Sequence, residues 1–179
     1  MMFLHRLQIL DAAGTRWCNR ASRIAPARRF FGLVSRLGDG AFWYALMLGM
    51  PFLGASWRAS VLMAVVGAVA TLAYRQLKEG TRRPRPCDVH ETLTISVAPL
   101  DRFSFPSGHT LHAVAFTVLA CAVVPTLAPL LVPFAVLVAL SRLVLGLHYP
   151  SDVLVGAGLG AGLAALGLAM ADLAGVALT

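Results

Sequence analysis

The sequence predicts an all-α fold: an integral membrane helical bundle of about five transmembrane helices, with an N-terminal amphipathic helix at the membrane interface. Two observations carry this. Of the 179 residues, 58% are hydrophobic and only 13% charged, with a mean hydropathy of +0.76, a balance that water-soluble domains of this length seldom show. The apolar residues also gather into stretches of about 20, the length that crosses the hydrocarbon core of a bilayer. A single membrane-embedded domain over 1–179 follows, with an N-terminal arm (1–36), a bundle (37–175) and polar loops at 78–109 and 141–152.

In residues 1–25, Phe3, Leu7, Leu10, Trp17 and Ile24 recur at spacings near three, four and seven, the pattern of a helix lying on the membrane surface. Arg6, Asp11, Arg16 and Arg20 interrupt any apolar core long enough for a signal peptide. Together with Arg23, Arg28, Arg29 and Arg36 the arm is basic and suited to anionic lipid headgroups. Spanning helices are predicted over Leu37–Trp57, Ala59–Leu77, Thr110–Val124, Leu127–Leu147 and Val153–Ala174. Gly156, Gly158, Gly160 and Gly162 in the last of these predict close helix packing. The same GAGLGAG run lies inside an apolar span and follows no strand, so it is not read as a nucleotide fingerprint.

The charge of +7 and pI of 10.4 are explained by the membrane, and nucleic acid is not an expected partner: aromatic and basic residues do not interleave as a stacking platform would need. Cys18, Cys87 and Cys121 are odd in number and far apart, predicting neither a disulfide framework nor a CxxC metal site.

The loop over 78–107 is long and the turn near Pro125 short, so two crossings return the segment Leu140–Asp152 to the face that carries the long loop. Three polar clusters therefore converge. The first, Lys78 to Pro86, contains Arg82, Arg83 and Arg85; arginine offers phosphate a planar fork and lysine a compact charge. The second, Phe105 to His109, places Ser107 as an N-cap and Gly108 where a substrate can approach the free amides of a helix start, beside His109, which exchanges protons near neutral pH. In the third, Ser141 to Asp152, Arg142 near a helix end needs an anion, and Asp152 can hold the His148 imidazole in the tautomer a nucleophile requires. His112 lies three residues after His109, but no HExxH pattern accompanies it, and no metal site is expected. Asp88, His90, Glu91, Asp101 and Arg102 read as loop decoration, and Cys87 as incidental.

KxxxxxxRP, PSGH and SRxxxxxHxxxD, in that order from Lys78 to Asp152, resemble the three signatures of the type 2 phosphatidic acid phosphatase (PAP2) superfamily. The resemblance implies that Lys78, Arg85 and Arg142 hold phosphate, with Ser107 and the Gly108 amide completing the cradle. It further implies that His148 attacks phosphorus to form a phosphohistidine, Asp152 orients it and His109 protonates the departing oxygen. No cofactor is implied; the partner is a lipid phosphate within the bilayer. Undecaprenyl diphosphate leads among the expected substrates, ahead of phosphatidylglycerophosphate and phosphatidic acid; lipid A phosphates are also known in the family. A phospholipid-binding or transport protein without catalysis is the reading from another class, and has no need of His109, His148 and Asp152 together. The superfamily's haloperoxidases are soluble, which the apolar spans oppose.

The expected location is a bacterial cytoplasmic membrane, crossed several times. The arginines of the arm pull the active-site face toward the cytoplasm, whereas family precedent places it outside, and the expectation leans slightly to the periplasm.

Overall fold

A computed structural model describes residues 2–90, 92–94 and 101–179, with 2–5 as backbone alone; Glu91, expected to decorate the long loop, lies outside them. Every regular element among the described residues is helical: α1 (Met2–Asn19), α2 (Ala25–Leu37), α3 (Ala41–Gly49), α4 (Trp57–Thr81), α5 (Pro86–Val89), α6 (Gly108–Val123), α7 (Ala128–Val144) and α8 (Pro150–Leu173). Three stretches, Trp57–Val89, Pro125–Val144 and Pro150–Leu173, are long and apolar enough to cross a membrane, and Ala41–Leu53 and Gly108–Val123 are shorter apolar helices.

α6 is the centre of the bundle, packed on α4, α7 and most extensively on α8. The contact with α8 depends on absent side chains. A Cβ on Gly156 would stand 2.6 Å from the Ser107 carbonyl oxygen, and one on Gly160 2.3 Å from that of Leu111. Glycines four apart thus form the seam, while Gly158 and Gly162 face open space, so only half of the predicted glycine stripe packs. The surface is inverted relative to a soluble protein: Leu48, Phe52, Leu72, Leu154 and Leu173 are more than half exposed, whereas Lys78, Arg85, Arg142, His148 and Asp152 are buried. Lipid solvates the former, and the backbone satisfies itself within helices.

Two elements differ from expectation. The first span, predicted as one helix over Leu37–Trp57, begins only after Gly40 (φ 121°) and passes at Met50 into a short 3₁₀ turn that Gly54 (φ 91°) ends. Pro51 has no amide to continue an α-helical ladder, and positive φ at these glycines redirects the chain at both ends. The arm is also more than one surface helix. After a 3₁₀ turn at Arg20–Arg23, α2 starts near the end of α7 and returns to it, for Asn19 Nδ2 donates to the Val144 carbonyl at 2.9 Å and Gly38 lies against Val138. α2 therefore lies across that end of the bundle.

The face by which α1 docks is its polar one. Asp11, Thr15, Asn19 and Ser22 are buried, at nearly one residue per turn, and of the predicted apolar face Leu7, Leu10, Trp17 and Ile24 are exposed, while the Phe3 side chain lies outside the described residues. Such a helix is solvated by lipid on one side and held by the bundle on the other.

Candidate active site

A cavity of about 860 Å³ opens at the end of the bundle where α4, α6 and α7 present their polar residues. The three predicted clusters meet there: Lys78 and Arg85 from the first, Gly108 and His109 from the second, Arg142 and His148 from the third. Further from these groups the wall turns apolar, with Trp43, Met47, Ala64 and Phe116. Lys78 stands in the last turn of α4, one turn before the helix ends at Thr81. Pro84 and Pro86 then stiffen the chain that brings Arg85 back over the cavity.

The cations are held differently. Lys78 Nζ donates to Asp101 Oδ1 at 2.9 Å and to the Phe103 carbonyl at 2.7 Å. Arg85 pairs with the same carboxylate and donates from Nε to the Asp101 carbonyl and from Nη1 to that of Leu147. Burial works to raise the Asp101 carboxyl, but Lys78 and Arg85 outweigh it and hold the group below its ordinary value. Arg142, buried in the last turn of α7, hydrogen-bonds Ser35 Oγ through Nη1, and its Nε has no partner. A largely buried guanidinium that lines the cavity and is held there by a neutral hydroxyl fits an anionic ligand.

His148 follows α7 and is 2% exposed. Its Nε2 lies 3.3 Å from Arg85 Nη1, and its Nδ1 lies 3.6 Å from Asp152 Oδ2, too far for a hydrogen bond and with no other partner. Burial first, then Arg142, Arg85 and Lys78, push its pKa well below the ordinary histidine value, so the ring is neutral at physiological pH. His109 opens α6 and faces Asp39, Nε2 to Oδ1 at 3.4 Å. Asp152 itself is held by Arg83 Nη1 at 2.7 Å and the Tyr149 amide at 2.8 Å.

Ser107 sits apart from the other expected ligands. It is fully buried, caps α6 and shares a 2.9 Å hydrogen bond with Thr110 Oγ1, and it does not line the cavity, whereas Gly108 does. His112 turns Nδ1 to the Gly108 carbonyl and Nε2 to Thr71. Among the described residues no group of three or more His, Cys, Asp or Glu side chains is arranged to hold a metal ion, and the three cysteines are free.

Asp11, Ser35, Asp39, Arg83 and Asp101 were not among the predicted site residues, yet each touches one of them or its immediate partner. In the sequence Asp101 reads as loop decoration and Arg83 as one more basic residue of the first cluster. A signal did exist for Asp101: three cations converging on one buried place require a counterion, and few carboxylates stand nearby in the chain.

A model of the PAP2 superfamily matches residues 55–174. The chain is 40% identical over 132 residues to the decaprenylphosphoryl-5-phosphoribose phosphatase of Mycolicibacterium smegmatis, covering 69% of this chain and 67% of that one. It is 34% identical over 152 residues to phosphatidylglycerophosphatase B of Bacillus subtilis, covering 71% and 66%. The crystal structure of a transmembrane PAP2-type phosphatidylglycerolphosphate phosphatase from Bacillus subtilis superimposes with a TM-score of 0.77 at 27% identity, over 93% of this chain and 87% of that one.

Proposed function

The chain belongs to the PAP2 superfamily as a membrane lipid phosphatase, and we propose that it removes the terminal phosphate of a polyprenyl-linked lipid through a phosphohistidine intermediate, without a metal ion. One observation carries this: Lys78, Arg85 and Arg142 share a cavity with His109 and His148, and its wall becomes apolar below them. Lys78, Arg85 and Arg142 take the phosphate oxygens, displacing the Asp101 carboxylate from the first two. His148 Nε2 attacks phosphorus in line, an N–P bond forms and the P–O bond to the lipid breaks as His109 gives its proton to the leaving oxygen. Water then attacks the phosphohistidine, His109 takes its proton, and inorganic phosphate leaves. Positioning and neutralisation of charge supply most of the rate in such transfers, and a divalent metal ion among the three fixed side-chain cations would be repelled.

Thr71, Tyr74 and His112 line the cavity between the catalytic groups and its apolar wall, a polar band suited to a sugar between phosphate and lipid. With the mycobacterial similarity, this favours a polyprenylphosphoryl-phosphoribose over the undecaprenyl diphosphate expected from sequence; phosphatidylglycerophosphate is the second class, favoured by the Bacillus relatives. Phosphate release by the detergent-purified protein in EDTA from decaprenylphosphoryl-5-phosphoribose, undecaprenyl diphosphate and phosphatidylglycerophosphate, side by side, is expected to give the highest kcat/KM with the first. Turnover only after metal addition sinks the metal-free mechanism, and preference for phosphatidylglycerophosphate sinks the polyprenyl assignment.

The membrane is a bacterial cytoplasmic membrane on this reading, and charge supports an active site on its cytoplasmic face. Arg58, at the start of α4, is the one lysine or arginine at the end remote from the cavity, since the docked arm keeps its arginines at the cavity's end. This opposes the outward lean of the family resemblance. With Cys18, Cys87 and Cys121 replaced, an impermeant maleimide on intact cells is expected to label Thr126→Cys, in the remote α6–α7 turn, and spare Arg20→Cys; the reverse pattern establishes an outward site.

A further inference from the structure

The superfamily match begins at residue 55, yet α1, well upstream, carries a carboxylate that is only 2% exposed. Asp11 is engaged at the start of α8. Its Oδ1 accepts the Ser151 amide at 2.9 Å, and its Oδ2 accepts Ser151 Oγ at 2.5 Å and Arg83 Nη2 at 2.7 Å. Arg83 places its other terminal nitrogen, Nη1, 2.7 Å from Asp152 Oδ1 and 2.7 Å from Ser151 Oγ, and its guanidinium lies 4.1 Å over the Tyr149 ring. Asp152 stands 3.6 Å from His148 Nδ1. Hydrogen bonds and ion pairs therefore run from the surface helix to Asp152, whose carboxylate stands next to the imidazole.

We propose that Asp11 is a positioning residue for the reaction, holding Arg83 so that Arg83 fixes the Asp152 carboxylate against His148. The proposal rests on the assignment of His148 as the nucleophile. The physical reason is the shape of the guanidinium. A planar fork with one carboxylate at each terminal nitrogen has a single orientation, and stacking on Tyr149 closes the remaining freedom. Take away the charge of Asp11, and Arg83 is balanced by Asp152 alone and is free to draw that carboxylate out of line. The Nδ1–Oδ2 separation, already 3.6 Å, leaves little margin before His148 loses the group that sets its tautomer. Lysine in place of Arg83 has the charge but not the fork. Partners that orient the ligands of metal sites act about 10–100-fold on the groups they hold, and an effect of the same order is expected for one that orients Asp152.

The test measures kcat and KM of Asp11→Asn, Arg83→Gln and the double variant, on the lipid phosphate the wild type turns over fastest, with His148→Ala alongside. Asp11→Asn keeps the size of the side chain and loses its charge. The expected result is a fall in kcat of at least about 10-fold with KM within about two-fold, slower phosphoenzyme formation in a single turnover, and a double variant no slower than the slower single, since both cut one chain. Wild-type kcat in Asp11→Asn overturns the proposal, and so does a double variant whose loss is the product of the two single losses. If Asp11→Asn does not fold, Arg83→Gln decides: wild-type kcat overturns the proposal, and a fall in kcat at constant KM upholds it. Activity surviving in His148→Ala is a separate outcome, which removes the nucleophile assignment itself.

Discussion

Replacing His148 by alanine is expected to lower kcat on the order of a thousand-fold or more, the scale on which loss of a covalent nucleophile acts, while the protein remains folded. The ring makes a single long hydrogen bond, accepted at Nε2 from Arg85 Nη1 at 3.3 Å; Nδ1 has no partner, and Arg85 Nη1 keeps its bond to the Leu147 carbonyl when the ring is removed. Wild-type protein quenched during turnover should carry an alkali-stable, acid-labile phosphate that His148→Ala lacks. The sign of the pH dependence follows from the surroundings. Burial and the three cations lower the His148 pKa, so falling pH protonates this ring in the free enzyme only well below the ordinary value of about 6.5. Histidine NMR signals assigned by their loss in His148→Ala should therefore remain those of a neutral ring at pH 6. An imidazolium there, or phosphoenzyme surviving in the variant, assigns the attack to another group.

Arg142 should give the second large effect, and with an opposite sign for stability. Its removal as Arg142→Ala is expected to lower kcat/KM by about a thousand-fold, within the range seen for arginines that neutralise a transferring phosphoryl group. Lysine should recover only part of this, because one nitrogen serves Ser35 while the cavity needs the rest of the fork. Stability should hold or rise in Arg142→Ala. Among the described residues the guanidinium has no salt bridge and leaves Nε unpaired, so the folded protein bears a desolvation cost that alanine relieves. Thermal unfolding in detergent measures this beside the kinetics; an Arg142→Lys enzyme at wild-type rate, or a strongly destabilised alanine variant, contradicts the role.

Much of the site was legible because its chemistry is local. Lys78 with Arg85, Gly108 with His109, and Arg142 with His148 lie on short segments, and the count of apolar spans between them was enough to bring all three to one end. Ser107 shows how a motif position can be placed correctly and still be turned elsewhere: its hydroxyl is a helix cap bonded to Thr110, and the cavity is lined by the glycine beside it. The α3 segment shows the reverse. Its hydropathy suited a full crossing, while Gly40, Pro51 and Gly54 shorten the helix.

What the sequence by itself determined was the all-helical membrane fold and the three polar clusters that meet at one cavity, for hydropathy over a span of about 20 residues and motif spacing along a chain are properties of neighbours in sequence. Only the tertiary structure decided that Asp11, Ser35 and Asp39 stand around those clusters and that Asp101 bridges two of their cations. The physical reason is that α1 lies between two solvating media. Its periodicity separates an apolar face from a polar one, but lipid satisfies the first and either water or a buried ionic partner satisfies the second. Which of the two it is depends on where Arg83 and Ser151 arrive from elsewhere in the chain, and packing alone brings them there.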